Sequence, residues 1–396
     1  MKKIILSLFA LLALGEGANA QKITVPDVYA APGQTVAFVV NLDEGKDDTY
    51  KALQFDVQFP ATGFTTTGAY TVSDSWEGAT AIVGDVDSEG SATVPFNCSN
   101  LIQGTKVNYL ASVSFKVGES VEAGDYNVTL KNIFLGYNMA DKDFPADCTF
   151  KVHVLSGVNV VLDENSPIAP ETTASAVDIK VFRTINANEW STICLPFAMS
   201  ATKWKAAFGD DAEIRPFNGY EKVGNALNVK LGDKLTAAMK TGTPYFIKTT
   251  NAVTDFTVNA TINRTAGEKT AFKIEDDETG EEVETCYLQG IFVAGTKLPA
   301  ETLFLNSNKF YYSTGKTMTK GFRAYMWLKD VLDSYSSAPE MITFVIDDNN
   351  SGNITSISSL KSGESDDAYY NLSGQRVENL KKGQIYIKNN KKVVVK

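Results

Sequence analysis

Residues 51–60, KALQFDVQFP, alternate without a break: Leu53, Phe55, Val57 and Phe59 fall on one side, Gln54, Asp56 and Gln58 on the other. Successive side chains of an extended chain leave opposite faces of the pleat, so this run predicts a strand with one face on a core and the other in water. Similar runs surround it at 36–42 (VAFVVNL), 109–117 (YLASVSFKV), 125–134 (DYNVTLKNIF) and 148–155 (CTFKVHVL), separated by Gly, Asn and Asp turn signals. That spacing predicts an all-β chain whose first domain is a jelly-roll-like β-sandwich. The wet face of the 51–60 strand is then the part free to bind something.

The chain has 396 residues, more than one hydrophobic core normally organises, so two or three domains are expected. Residues 1–20 read as a secretory signal, with Lys2 and Lys3, an apolar run at 4–14 and a small-residue ending at Ala18, Asn19 and Ala20. The apolar run falls short of the roughly 20 residues that span a bilayer, and no later run reaches that length. A secreted or outer-surface location without a transmembrane segment is therefore expected. The sandwich is placed at 21–157, a polar linker with two prolines at 158–175, and a second β-rich domain at 176–347. Two short helices are expected in that domain, at 201–208 capped by Ser200 and at 234–240. A second linker at 348–366, rich in Asp, Asn, Ser and Gly, leads to a small C-terminal β unit at 367–396.

A net charge of −10 with no Lys/Arg cluster in the folded parts excludes nucleic acid as a partner class. The four cysteines divide two and two. They either pair as Cys98 with Cys148 and Cys194 with Cys286, which export permits, or stay as unpaired buried thiols. None has the close spacing of a zinc site, and no metal or cofactor is expected. Asp85, Asp87, Glu89 and Gly90 imitate the start of a calcium loop, but Phe96 stands where a bidentate Glu is needed, so an acidic turn is expected. His153, the one histidine, lies between Val152 and Val154 as a structural strand residue. No phosphate loop, zinc-protease helix or nucleophile elbow is present, and the chain is expected not to be an enzyme. The remaining route to chemistry is a glycoside hydrolase built from acids alone, and no pair among the 47 acids is singled out.

In order and spacing, APGQTVAFVVNL, LQFDVQFP, YLASVSFKV and AGDYNVTLKNIFLG resemble the cohesin-like domains, non-catalytic β-sandwiches of the carbohydrate-binding superfamily. The resemblance covers about 22–155. It implies a dockerin-type protein partner or a polysaccharide, and a part in polysaccharide breakdown. It also implies that Gln54 and Asp56 contact a dockerin, although Phe59 replaces the acidic residue usual before the proline. As neither side chain faces the core, substitution there is expected to leave stability unchanged. A glycan would need an exposed aromatic such as Trp76 in the loop SDSWEG. A purely structural or adhesive surface role is the alternative. NEWSTICLPFAMS and GTPYFIK resemble modules of secreted Bacteroidetes proteins, and YNLSGQRV with GQIYI and KKVVVK is similar to type IX secretion sorting domains.

Overall fold

The computed structural model describes residues 22–43, 52–60, 62–72, 80–97, 109–136, 142–223, 226–275, 282–306, 308–313, 315, 317–328, 341–346, 354–355, 369–370, 376–377, 385–388 and 391–394. The signal segment 1–20, Trp76, Cys98 and the linker 348–366, apart from its strand at 354–355, lie outside these residues. The chain is all-β and divides into two compact units, Met1–Val161 and Leu162–Lys396. Among the described residues no helix is long and apolar enough to cross a membrane.

The N-terminal unit contains β1 (Lys22–Thr24), β2 (Val28–Ala30), β3 (Thr35–Asp43), β4 (Ala52–Gln58), β5 (Phe64–Val72), β6 (Thr80–Ala81), β7 (Ser91–Asn97), β8 (Tyr109–Val117), β9 (Gly124–Gly136), β10 (Lys142–Asp143) and β11 (Cys148–Val154). One sheet runs β1-β3-β8-β5; the other runs β2-β11-β9-β4-β7-β6, with β10 beside β9. Phe38, Val40, Val113 and Phe115 of the first sheet and Leu53, Phe55, Val57, Val94, Leu130 and Phe150 of the second share one core, which makes the unit a β-sandwich. Four of its aromatic rings meet there, with Phe38 within 6.3 Å of Phe55, Phe115 and Phe150. The end of the unit is tied down by Gln34. Its Oε1 accepts from the N–H of Val161 at 2.9 Å and its Nε2 donates to the Val161 carbonyl at 2.7 Å.

Strand β9 does not alternate throughout. Val128 and Leu130 are buried, and so are Ile133 and Leu135, an odd step apart. The register on β4 slips at that point: Gln54 faces Phe134 but Asp56 faces Lys131, so β9 carries one extra residue. Asn132 takes it up at φ +50°, a conformation that Asn tolerates better than most residues. The bulge resets the phase, so both halves of a 13-residue strand aim their apolar side chains into the core.

Strand β12 (Val160–Asp163) spans the boundary at Val161, and the C-terminal unit goes on with β13 (Val177–Ile185), β14 (Trp190–Ile193), α1 (Ala201–Phe208), β15 (Glu213–Arg215), β16 (Phe217–Val223), β17 (Ala226–Leu231), β18 (Tyr245–Lys248) and β19 (Val253–Ala260). Then come β20 (Lys269–Glu275), β21 (Glu282–Ile291), β22 (Thr296–Lys297), β23 (Thr302–Asn306), β24 (Lys309–Tyr312), β25 (Met318–Thr319), β26 (Arg323–Trp327), β27 (Met341–Ile346) and β28 (Ile354–Thr355). The last four, β29 (Tyr369–Tyr370), β30 (Arg376–Val377), β31 (Ile385–Lys388) and β32 (Lys391–Val394), form a separate small sheet within the expected C-terminal β unit.

Two expectations differ from this structure, and for Cys194 and Cys286 one of the two open alternatives is realised. Residues 158–175 hold β12, which joins β13 and β19 in a sheet, instead of a plain linker. Helix α1 forms where expected, with Ser200 accepting from the N–H of Lys203 and Trp204 and Phe208 buried, but 234–240 is not helical. There the backbone is claimed by neighbours: the N–H of Leu235 donates to Ile214, Met239 bridges Met199, and the Ala237 carbonyl receives the Trp204 indole N–H. Cys194 and Cys286 are both buried and free. Cys194 donates to the Gly242 carbonyl at 3.0 Å, and burial pushes the Cys286 thiol up to about 12, so both stay protonated core groups.

What ties the expected linker down is Glu164. This buried carboxylate receives Arg323 and Lys320 at 2.9 Å each and Arg183 at 3.4 Å. Arg183, fully buried, also donates to Ser191 Oγ at 2.9 Å and to the Thr192 carbonyl at 2.6 Å. Burial alone pushes the Glu164 carboxyl up; Arg323, Arg183 and Lys320 outweigh it and hold the group below the usual range. A depressed carboxyl contributes stability that is complete above its unfolded value and is lost as pH falls through the folded one. Glu164→Gln should therefore destabilise the C-terminal unit by about 3 kcal/mol in urea unfolding, because it leaves Arg183 buried without its counter-charge. The wild-type advantage over the variant should shrink as pH is lowered below the ordinary glutamate range. An unchanged midpoint would show that the network contributes nothing.

Candidate functional site

The outer face of the β2-β11-β9-β4-β7-β6 sheet carries every described side chain that the sequence marked for binding. From β4 it presents Gln54, Asp56 and Gln58, from β7 Thr93 and Pro95, from β9 Asp125, Thr129, Lys131 and Phe134, and from β11 Thr149, Lys151 and His153. Their partners on the same strands, Leu53, Phe55, Val57, Val94 and Val152, are in the core, so alternation alone aims these residues outward. Trp76, the third expected contact, lies outside the described residues.

Gln54 and Asp56 sit two positions apart but do different work. Asp56 accepts from Thr93 Oγ1 at 2.6 Å through one carboxylate oxygen and from Asn132 Nδ2 at 2.7 Å through the other. The carboxylate thus clasps β7 and the bulged residue of β9 to the strand between them. Gln54, exposed, makes no side-chain hydrogen bond among the described residues, and Lys131 has no ion partner there. Opposite Gln54 stands Phe134, whose ring meets Phe144 at 5.7 Å. Phe144 follows β10 and is 64% exposed, with the Lys142 ammonium 5.7 Å from its ring centre. At the other margin Ile82, bonded through its N–H to the Pro95 carbonyl, is 73% exposed. Sequence reasoning missed Phe134 and Phe144. The signal was available in the apolar triplet Ile133-Phe134-Leu135, which a single alternating strand cannot bury whole.

Toward β2 the face is self-contained. His153 Nδ1 lies 2.7 Å from Asp125 and Nε2 lies 3.4 Å from Asp27, while the ring stacks on Tyr29 at 4.7 Å. The hydrogen bond from His153, and then that from Lys151, hold the Asp125 carboxyl below the usual range. Both ring nitrogens face carboxylates of the same sheet, so the side chain is held as part of that surface. Asp87, in the segment that imitates a calcium loop, accepts from the backbone N–H groups of Glu89 at 2.9 Å and Ser91 at 3.0 Å. Its side chain organises a turn, as short polar residues do. Among the described residues no group of three or more His, Cys, Asp or Glu is arranged to hold a metal ion.

No protein-family model matches the chain, and no curated protein matches it significantly. Among solved structures it is similar to a type I cohesin of Clostridium thermocellum in a cohesin–dockerin complex, at 16% identity over 35% of this chain and 100% of that one, with a TM-score of 0.30. The third cohesin ScaC of Acetivibrio cellulolyticus, in complex with the ScaB dockerin, matches at 17% identity over 34% of this chain and 99% of its own, with a TM-score of 0.29. A cohesin module from a family 33 glycoside hydrolase of Clostridium perfringens matches at 11% identity over 35% and 98%, also with a TM-score of 0.29.

The clasp corrects the expectation that substitution at Asp56 leaves stability untouched. Although its side chain avoids the core, Asp56→Ala removes two charge-assisted hydrogen bonds, and a loss of about 2 kcal/mol in the unfolding of the N-terminal unit is expected. Gln54→Ala, which breaks no bond, should stay within about 0.5 kcal/mol of wild type. Equal effects of the two substitutions in urea unfolding would contradict this division of labour.

Proposed function

We propose that the outer face of the β9-β4-β7-β6 part of the sheet is a docking surface for a folded protein partner of the dockerin type, and that the protein is a non-catalytic binding module. The observation that carries this reading is the Phe134–Phe144 pair, with Phe144 64% exposed and Phe134 opposite the unengaged Gln54, on a sheet face that is mostly polar. Aromatic rings are enriched among the anchors of protein interfaces, and a contiguous exposed apolar patch rimmed by polar residues marks an interaction site. Ile82 extends the apolar margin to the opposite edge. Gln54 supplies hydrogen-bonding capacity at the centre, and Asp56 contributes by holding the surface rather than by touching the partner.

In this reading the protein acts after export, at the cell surface or in the medium, and brings a partner to a site of polysaccharide breakdown. The signal-like residues 1–20 support export, and the small C-terminal sheet is the part that a secretion or anchoring system would handle. A purely adhesive surface role would use the same face.

The test is binding of the full chain to a panel of purified dockerin modules, compared with the Gln54→Ala/Phe144→Ala double variant. Removal of one hydrogen-bonding group and one aromatic anchor should weaken the best complex by more than tenfold, which corresponds to about 1.4 kcal/mol or more, while the melting temperature stays within a degree or two. A double variant that binds as wild type does, or a chain that binds none of the modules, would remove this face from consideration.

A further inference from the structure

We propose that the C-terminal unit carries a second, independent binding surface, the outer face of its five-stranded sheet, and that this surface takes a neutral polysaccharide. The sheet runs β20-β21-β26-β23-β24. One face is core: Cys286, Leu288, Leu303, Leu305, Phe310, Ala324, Met326 and Leu328 are buried together. The residues between them point the other way, and five are aromatic: Tyr287, Tyr325, Trp327, Phe304 and Tyr311, each only partly buried. An antiparallel sheet with one covered face normally fills the other with charged and small polar side chains.

The register places the five rings side by side. Tyr287 faces Trp327, Tyr325 faces Phe304, and Phe304 faces Tyr311. Tyr287 and Trp327 stack at 5.4 Å and 6°, and Phe304 and Tyr311 at 5.6 Å and 23°. The row crosses β21, β26, β23 and β24, and three strand spacings of about 4.8 Å give it a length of about 14 Å. That suits an extended chain lying across the strands rather than a single small molecule.

Two observations identify the chemistry of the occupant. Among the described residues the hydroxyls of Tyr287, Tyr325 and Tyr311 and the indole N–H of Trp327 have no hydrogen-bond partner, so the row offers polar tips along an apolar strip. The charges beside the rings of β21 and β26 are matched, and Lys309 on β24, exposed two residues from Tyr311, is the cation at the margin of the row without an ion partner among the described residues. Lys269, whose ammonium lies 4.9 Å from the Tyr287 ring centre, is held by both oxygens of Glu284 at 2.8 Å, and Arg323 at the end of the row is held by Glu164. A polyanion lying along the row would meet only Lys309, at one end, to neutralise its repeated charges. A pyranose chain presents C–H faces to rings and hydroxyls to phenols, with no charge to neutralise, and amphipathic Tyr and Trp serve both contacts.

The test is affinity electrophoresis of the full chain in native gels containing mixed-linkage β-glucan, xyloglucan, galactomannan or amylopectin, with polygalacturonate as the acidic comparison. At least one neutral polymer should retard the wild type. Trp327→Ala should weaken that retardation by more than tenfold, and Phe144→Ala, on the N-terminal unit, should leave it unchanged, so this surface and the docking surface proposed above fail separately. Because Trp327→Ala can disturb the sheet, Tyr287→Phe with Tyr311→Phe provides a second reading. Those variants keep the rings and remove two hydroxyls, and they should weaken retardation several-fold at an unaltered melting temperature. The proposal is overturned by no retardation in any neutral gel, by retardation in polygalacturonate alone, or by folded variants that run as wild type. It is equally overturned if sedimentation shows a dimer that Trp327→Ala dissolves, since the face would then be covered by a second copy.

Discussion

The N-terminal sandwich depends on the clasp between Asp56 and the bulge at Asn132. A strand of 13 residues in a twisted sheet must either alternate faithfully or break phase once, and β9 breaks phase. Without the extra residue, Val128 and Leu130 could reach the core only by sending Ile133 and Leu135 into water. The cost of a non-glycine residue at positive φ is offset by the Asn132 side chain, which bonds to Asp56, and by Thr93, which fixes the other carboxylate oxygen. One consequence is functional. The phase change that buries Ile133 and Leu135 is also what turns Phe134 outward, where it meets Phe144.

The C-terminal unit is held by a different device, a buried carboxylate surrounded by cations. Glu164 reaches Arg183, Lys320 and Arg323, residues far apart in the chain, and Arg183 carries the network on to Ser191 and the Thr192 carbonyl. Such a network is intolerant of partial loss, because Glu164 and Arg183 are buried on the strength of each other. It also anchors the end of β26, the strand that bears Tyr325 and Trp327. Each unit thus has a polar device that sets the outer face of a sheet, and the two faces differ in chemistry: a mostly polar one with aromatic and aliphatic margins, and a continuous row of aromatic rings.

Much of the sandwich was legible in the sequence because its strands alternate. The runs at 36–42, 51–60, 109–117 and 148–155 all form strands with the expected inward faces. The strand β7 was less visible: its Pro95 argues against a strand, yet it is tolerated next to the short β6, where the proline carbonyl still accepts from Ile82. The segment 158–175 looked like a linker because of its two prolines and polar residues, and no local pattern shows that Arg183 and Arg323 gather around Glu164. At 234–240 helix-forming residues were overruled by tertiary hydrogen bonds to Ile214 and Met199. Gln54 and Asp56 read as equivalents on one wet face. What separates them is Asn132, 76 positions from Asp56 in the chain, and no local pattern reports that contact.

The central claim is that Asp56 holds the sheet and leaves the neighbouring surface free. A double-mutant cycle on Asp56→Ala and Asn132→Ala, read by urea unfolding, tests it most directly. The account predicts that the two losses fall short of additivity by about 1 kcal/mol, since either substitution alone already breaks the bond between them. Strictly additive losses would mean that the carboxylate and the bulge act independently, and the division between a clasping Asp56 and a free Gln54 would fall with them.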